Sequence, residues 1–191
     1  MLIGLDFGGI TANHIPIKFE EAQRIFGNER IHTHRDVLRQ VLLPQIGEQG
    51  YNELIIKMSE RLGDFPVYEG AREAMDRLHK DGHRFALVST QSFVALSVVN
   101  DYIKNHRLNF DHVAVVKEDA QKAEACRRFC VDAFLDDNTS VLQFLRPLNI
   151  PLVWGNFSGG GAVDVPQDFF MVNSWLEFEE WVRRHSDGLK V

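Results

Sequence analysis

Asp6, Ser89, Thr90, Lys122, Asp136 and Asp137 are the residues of this 191-residue chain whose types and spacing suggest chemistry. Asp6 closes the apolar run LIGLD (2–6), Ser89 and Thr90 close RFALVST (84–90), and the doublet Asp136–Asp137 closes DAFLDD (132–137). Lys122 stands fifteen residues before Asp137, where the helix leading into that last run begins. In an open parallel sheet ligands bind outside the carboxyl ends of the strands, so these groups would meet on one rim. Carboxylate, hydroxyl and ammonium together are the groups of nucleophilic and electrostatic catalysis on an anionic substrate. One Asp after a strand is an ordinary turn or N-cap residue. Four such groups, each at a strand end or leading into one, are harder to explain as caps.

The elements that would position them alternate along the chain. LIGLD (2–6), RFALVS (84–89), HVAVV (112–116), DAFLD (132–136), IPLVW (150–154) and FFMV (169–172) are short apolar runs rich in β-formers. Several are apolar on both faces, as parallel strands buried between two helical layers are. Ala71, Ala74, Met75 and Leu78 have helical spacing, and Ser174 with Glu177 makes a capping-box signature ahead of Trp175, Phe178 and Val182. The expected class is α/β, a Rossmann-like parallel sheet sandwiched by helices. Residues 12–66 break the alternation with three helical segments, around Phe19, Ala22 and Phe26, around Val37 to Leu42, and from Tyr51 to Leu62. They predict a small helical cap inserted after the first strand, with 1–11 and 67–191 as the core. The stretch SGGGAVDVP (158–166) is expected to be a surface turn.

Composition narrows the partners. Twenty-one basic against 27 acidic residues give a net charge of −6 without a block of like charges, which speaks against a nucleic-acid polymer as ligand. No run approaches the ~20 apolar residues of a membrane span and no leader pattern opens the chain, so a cytoplasmic protein is expected. Cys126 and Cys130 have no second Cys or His pair at ligand spacing and read as core thiols.

The motifs LIGLDFGGIT, HRFALVSTQ, QKAEACRRFCVDAFLDDN and PVYEGAREAMDRLHKDGH together resemble the haloacid dehalogenase-like hydrolase superfamily over nearly the whole chain. The doublet in LDD, the lysine fifteen residues before Asp137 and the closing VNSWLEF look most like its small 5'-nucleotidase branch. The resemblance implies that Asp6 attacks phosphorus and carries the phosphoryl group as an aspartyl-phosphate. It implies Mg²⁺ between the two anions, held by Asp6, Asp137 and the backbone carbonyl of Gly8, with Asp136 in a lesser role. Ser89, with Thr90 beside it, would bind the phosphoryl oxygens. Lys122 would neutralise the phosphoryl group and the nucleophile, with Lys117 as its rival. The implied partner is a small phosphorylated metabolite, with nucleoside monophosphate the expectation from the branch; the oligomeric state is not readable.

Phosphatases of that superfamily carry a second Asp two residues after the nucleophile, as general acid and base. Here that position is Gly8, and a group of this kind is typically worth ~10²–10⁴ in rate. Acyl or aryl phosphates, with good leaving groups, tolerate its loss best. A substitute could be His14, eight residues after Asp6, or His32 or His34 in the cap. Other readings are a phospholigand-binding protein without turnover and hydrolysis at carbon. The phosphonatase branch has Ala at this position and uses a cap lysine as a Schiff base; Lys18 is the lysine to test, although a solvated position is expected for it. Arg24, His32, His34 and Arg35 are candidate substrate contacts in the cap, and Phe7 and Phe93 could flank a ring. Trp175, Phe178 and Trp181 could cover the sheet or meet a partner, and burial within the chain is the simpler use of their apolar area.

Overall fold

The computed structural model describes residues 1–91, 93–159 and 165–186, so most of the turn expected at 158–166 lies outside the described residues. Strands β1 (Leu2–Leu5), β2 (Arg84–Thr90), β3 (His112–Val116), β4 (Ala133–Asp136), β5 (Leu152–Gly155) and β6 (Phe170–Val172) form one parallel sheet in the order β3-β2-β1-β4-β5-β6. All six lie on the apolar runs picked out above. Helices α1 (Ile15–Phe26), α2 (Arg39–Glu60), α3 (Ala71–Lys80), α4 (Leu96–Asn105), α5 (Lys122–Phe129), α6 (Thr139–Leu145) and α7 (Trp175–Ser186) account for most of the rest.

The two-faced burial of the strands explains their composition. Ile3, Leu5, Phe85, Leu87, Ala133, Leu135 and Val153 pack into one core with Met75 and Leu78 of α3, Val99 and Tyr102 of α4, and Phe178 of α7. Leu2, Ala86, Val88, Phe134, Leu152 and Trp154 alternate with them and pack into a second core with Ala125 and Cys126 of α5 and Leu142 and Leu145 of α6. Strict alternation between two apolar cores is what a central parallel sheet demands. Trp175, Phe178 and Trp181 are buried against the sheet, as expected. The capping signature at α7 forms with a shift: Ser174 Oγ accepts from the Glu177 N–H, whereas the Glu177 carboxylate accepts from the Asn173 N–H.

Two expectations need correction. Cys126 is buried, but Cys130 is exposed: it ends α5 in the left-handed conformation, φ 56°, facing solvent where the helix stops. In the inserted stretch, the second and third helical segments run together into the 22-residue α2, kinked at Gly47 (φ 70°, ψ 172°) three residues after Pro44. The two ends of the stretch 12–66 meet in a short ladder in which the Asn13 N–H donates to Pro66 O and the Tyr68 N–H to Thr11 O. Arg61, at the end of α2, ties back to Glu20 and Glu21 of α1 at 3.0 Å each.

Candidate active site

The strand order reverses between β1 and β4, and a reversal of this kind opens a crevice at the carboxyl ends of those two strands. Asp6 leaves β1 there, and Asp136 and Asp137 leave β4. The backbone of Asp6 is pinned from both sides: its N–H donates to Leu135 O at 3.0 Å, and its carbonyl accepts from Thr11 Oγ1 at 2.9 Å. Lys122, the first residue of α5, reaches into the crevice. Its ammonium donates to Asp6 Oδ1 at 2.6 Å and to Asp136 Oδ2 at 2.8 Å. All three residues are buried. Burial alone would lower the lysine pKa, but the Asp136 and Asp6 carboxylates outweigh it and hold the ammonium charged well above the ordinary lysine range.

Asp136 is fully engaged, since its other oxygen accepts the Asn138 N–H at 2.9 Å. Asp137 is not held in this way. Burial raises its pKa, and the neighbouring charges of Asp136 and Asp6 raise it further. Trp154 fixes its backbone by donating from Nε1 to the Asp137 carbonyl at 2.8 Å. Oxygens of Asp6, Asp136 and Asp137 lie within 4.8 Å of one another. Crowded carboxylates with only one ammonium among them, all oxygen donors, fit a hard divalent cation of the Mg²⁺ type. With both Asp136 oxygens taken, Asp6 and Asp137 are the side chains suited to ligate it. The Gly8 carbonyl stays outside the hydrogen bonds of the turn that follows β1, in which Gly9 N–H donates to Ala12 O and Ala12 N–H to Phe7 O.

The two glycines after the acid have different reasons to be there. Gly9 adopts φ +87°, and a Cβ on it would run into the Asp137 carboxylate. Gly8 is under no such constraint: a Cβ there would meet only His14 Nδ1, at 3.5 Å. The His14 imidazole therefore abuts the space into which a side chain at position 8 would extend. Burial, and secondarily the Lys18 ammonium, push its pKa down to about 3, so the ring is neutral at physiological pH.

Ser89 is buried at the end of β2 and accepts from Gln91 Nε2 at 3.2 Å. The next hydroxyl, Thr90 Oγ1, is buried with no hydrogen-bond partner among the described residues. Lys117 is exposed just past the end of the edge strand β3 and makes no side-chain ion pair among the described residues, whereas Lys122 is buried between Asp6 and Asp136.

A cavity of about 600 Å³ extends from Asp137 and Trp154 to the helices of the insertion, where His14, Lys18, Arg39 and Tyr51 line it. The candidate residues named from the sequence lie in different settings. Lys18 is not solvated but 4% exposed, and His32, His34 and Arg35 are exposed and do not line the cavity. Arg24 is spent on Glu21, at 2.6 Å. Phe7 is core, edge-on to Tyr102, and Phe93 is 56% exposed. Nothing in the sequence marks Arg39, Tyr51 and Trp154 as cavity residues. Tyr51 and Trp154 sit in apolar patterns that read as packing, and Arg39 looks like any surface arginine.

No protein-family model matches the chain, and no curated protein matches it. Solved structures do. A haloacid dehalogenase-like family hydrolase from Streptococcus pneumoniae superposes with a TM-score of 0.67 at 13% identity, covering 94% of this chain and 97% of that one. A protein described as a predicted phosphoglycolate phosphatase from Haemophilus somnus gives 0.65 at 13% identity over 95% and 97%. The D,D-heptose 1,7-bisphosphate phosphatase of B. bronchiseptica, complexed with magnesium and phosphate, gives 0.57 at 13% identity over 96% and 98%. At such identities the likeness is one of architecture: from end to end, this chain has the fold of the haloacid dehalogenase-like hydrolases.

Proposed function

We propose that this protein is a Mg²⁺-dependent phosphohydrolase that acts on a small phosphate monoester through an aspartyl-phosphate on Asp6. One observation carries the reading: a buried ammonium, Lys122, joins Asp6 to Asp136 at the strand-order reversal, with Asp137 beside them. Two acids bridged by a lysine would serve as a structural network anywhere in a core. Placed in a ligand crevice next to a third acid, they suit the attack of a carboxylate on an anion.

In this reading Asp6, Asp137 and the Gly8 carbonyl would hold the metal, which when bound would screen the nucleophile from the phosphoryl charge. Asp6 attacks phosphorus, the bond to the leaving oxygen breaks, and that oxygen takes up a proton from solvent, since Gly8 offers no general acid. Water then attacks the same phosphorus, releasing inorganic phosphate and restoring Asp6. Lys122 orients the Asp6 carboxylate and offsets the charge of the transferring group. The Ser89 and Thr90 hydroxyls bind phosphoryl oxygens, which would give Thr90 the partner it lacks. His14, at the edge of the space left by Gly8, accepts the proton of the attacking water. The helical stretch 12–66 serves as the cap that closes over the substrate.

The test is phosphate release from nucleoside monophosphates, sugar phosphates, acyl phosphates and an aryl phosphate, with Mg²⁺ and with chelator. Turnover that requires the metal and disappears in Asp6→Asn supports the reading. No release from any substrate, with Mg²⁺-dependent binding of phosphate esters retained, would make the protein a phospholigand-binding module instead.

Lys18 favours a second reading. Burial lowers its pKa to about 8, and a depressed lysine pKa is what imine formation with a carbonyl substrate needs. With a small residue at position 8, phosphonatase-type cleavage of a carbon–phosphorus bond then becomes available. Borohydride reduction in the presence of a phosphonoaldehyde would trap Lys18 covalently in that case and leave it unmodified otherwise.

A further inference from the structure

The Lys18 ammonium is buried without a counter-ion. It donates to the Tyr51 hydroxyl at 2.8 Å and lies 4.8 Å from the centroid of that ring, and among the described residues it makes no ion pair within 4.0 Å. Lys122, equally buried, has two carboxylates. Taking an ammonium out of water with only a phenol for company is a costly arrangement, tolerated where something else supplies the negative charge.

A second cation stands beside it. The Arg39 guanidinium lies 5.7 Å from the Tyr51 ring centroid on the same cavity wall and has no ion pair among the described residues. The Lys18 pKa records the imbalance: burial lowers it, Asp137 partly restores it, and Arg39 lowers it again. The acids of the cavity lining do not resolve the shortage. Asp119 pairs with neither cation, and Asp137 is a metal ligand in the reading above.

Position in the cavity says which part of a ligand these cations face. Asp6, Ser89 and Lys122, the groups that would hold the phosphoryl, do not line the 600 Å³ space; it begins at Asp137 and runs outward to the insertion. In the phosphohydrolase reading it is the room for whatever the phosphoryl group is attached to.

We infer that the substrate carries a second anionic group, a carboxylate or a further phosphate, bound at the outer end of the cavity by Lys18 and Arg39 with Tyr51 orienting the ammonium. The inference rests on the phosphohydrolase reading for the direction in which the substrate lies. It narrows the substrate class to phosphorylated acids or bisphosphates, and it treats neutral alkyl phosphates as poor ligands.

Non-hydrolysable phosphonates test this without requiring turnover. Phosphonoacetate and 3-phosphonopropionate, set against ethylphosphonate and propylphosphonate, differ in the distal carboxylate; none carries an aldehyde, so imine formation plays no part. Calorimetric titration of the full chain in excess Mg²⁺ is expected to show at least one carboxylated probe binding about tenfold tighter than its neutral partner. The ratio should fall to within about twofold in the K18M/R39M double variant and be largely kept in Lys18→Arg. Circular dichroism and the thermal transition of the double variant establish that it is folded before its ratio is read. Equal binding of acid and neutral probes by the wild type, binding of none of the four, or a preference that survives the double substitution would overturn the inference. Equal binding alongside metal-dependent phosphate release removes this inference alone. A carboxylate preference with no turnover on any substrate removes the phosphohydrolase reading and keeps the anion site.

Discussion

Lys122 Nζ lies 2.6 Å from Asp6 Oδ1 and 2.8 Å from Asp136 Oδ2, so one buried ammonium sets the orientation of two carboxylates that come from different strands. Its removal strands both acids in a low-dielectric site, and that sets the first prediction. Lys122→Met should lower unfolding free energy by about 3 kcal/mol, because breaking a buried ion pair from one side leaves the other side unpaired. Phosphate release should fall by ~10²–10³, the usual loss when an electrostatic stabiliser is removed. Chemical denaturation and a steady-state phosphate assay read the two effects separately; unchanged turnover in a folded variant would remove Lys122 from the chemistry.

Gly9→Ala should be damaging out of proportion to its size. The residue sits at φ +87°, and the new methyl would strike the Asp137 carboxylate. Backbone strain of this kind costs about 1–3 kcal/mol. Displacement of Asp137 should also weaken Mg²⁺ binding, measurable by titration calorimetry on the folded variant. Wild-type affinity in Gly9→Ala would mean that Asp137 is not a ligand.

The neighbouring position should behave in the opposite way. A Cβ at position 8 meets only His14 Nδ1 at 3.5 Å, an ordinary contact, so Gly8→Asp should fold without penalty. Supplying a general acid there is expected to raise turnover of alkyl phosphates by ~10² while changing aryl phosphate turnover little, because a good leaving group needs no proton. Equal gains on both classes would count against a general-acid role for the new side chain.

Away from the crevice, Glu179 of α7 accepts from Arg77 of α3 at 2.7 Å and from Arg183 at 3.0 Å. The hydrogen bond from Arg77 is the main cause that holds its pKa below the ordinary glutamate value of 4.5, against the opposing effect of burial. A carboxylate whose native pKa is depressed contributes stability that is present above the unfolded value and lost as pH falls through the native one. Glu179→Gln should therefore cost about 1–2 kcal/mol at neutral pH, a modest figure because both arginines are half in solvent. The difference from wild type should shrink as pH drops below 4.5 and close once wild-type Glu179 is protonated; denaturation at several pH values checks it.

The legible parts of the fold were those written in local pattern. Parallel strands buried on both faces are short apolar runs by necessity, which is why RFALVS and DAFLD read as strands and why the residues at their ends fall on one rim. The insertion was less legible. Helical periodicity marks its helices, but the run through Pro44 to a kink at Gly47 joins two of them, and residue type points to His32 and His34, which are exposed, rather than to Arg39 and Tyr51, which line the cavity. Cys130 went astray for a similar reason: the left-handed turn that ends α5 exposes a side chain that composition alone assigns to the core.

By itself, the sequence determined the order of strands and helices and the residues that each strand end presents, because these follow from periodicity and from the rule that open parallel sheets bind ligands at their carboxyl edge. Tertiary structure alone decided the contacts among them. Lys122 and Asp6 are 116 positions apart, and only the packing of α5 on the sheet, against β2 and β3, brings the ammonium between two acids. His14 stands beside the space at Gly8 because the turn after β1 folds back on itself. Lys18 lost its solvent when α1 packed against α2 and set it on Tyr51. Burial and charge balance depend on every neighbour in space, and no spacing along the chain encodes them.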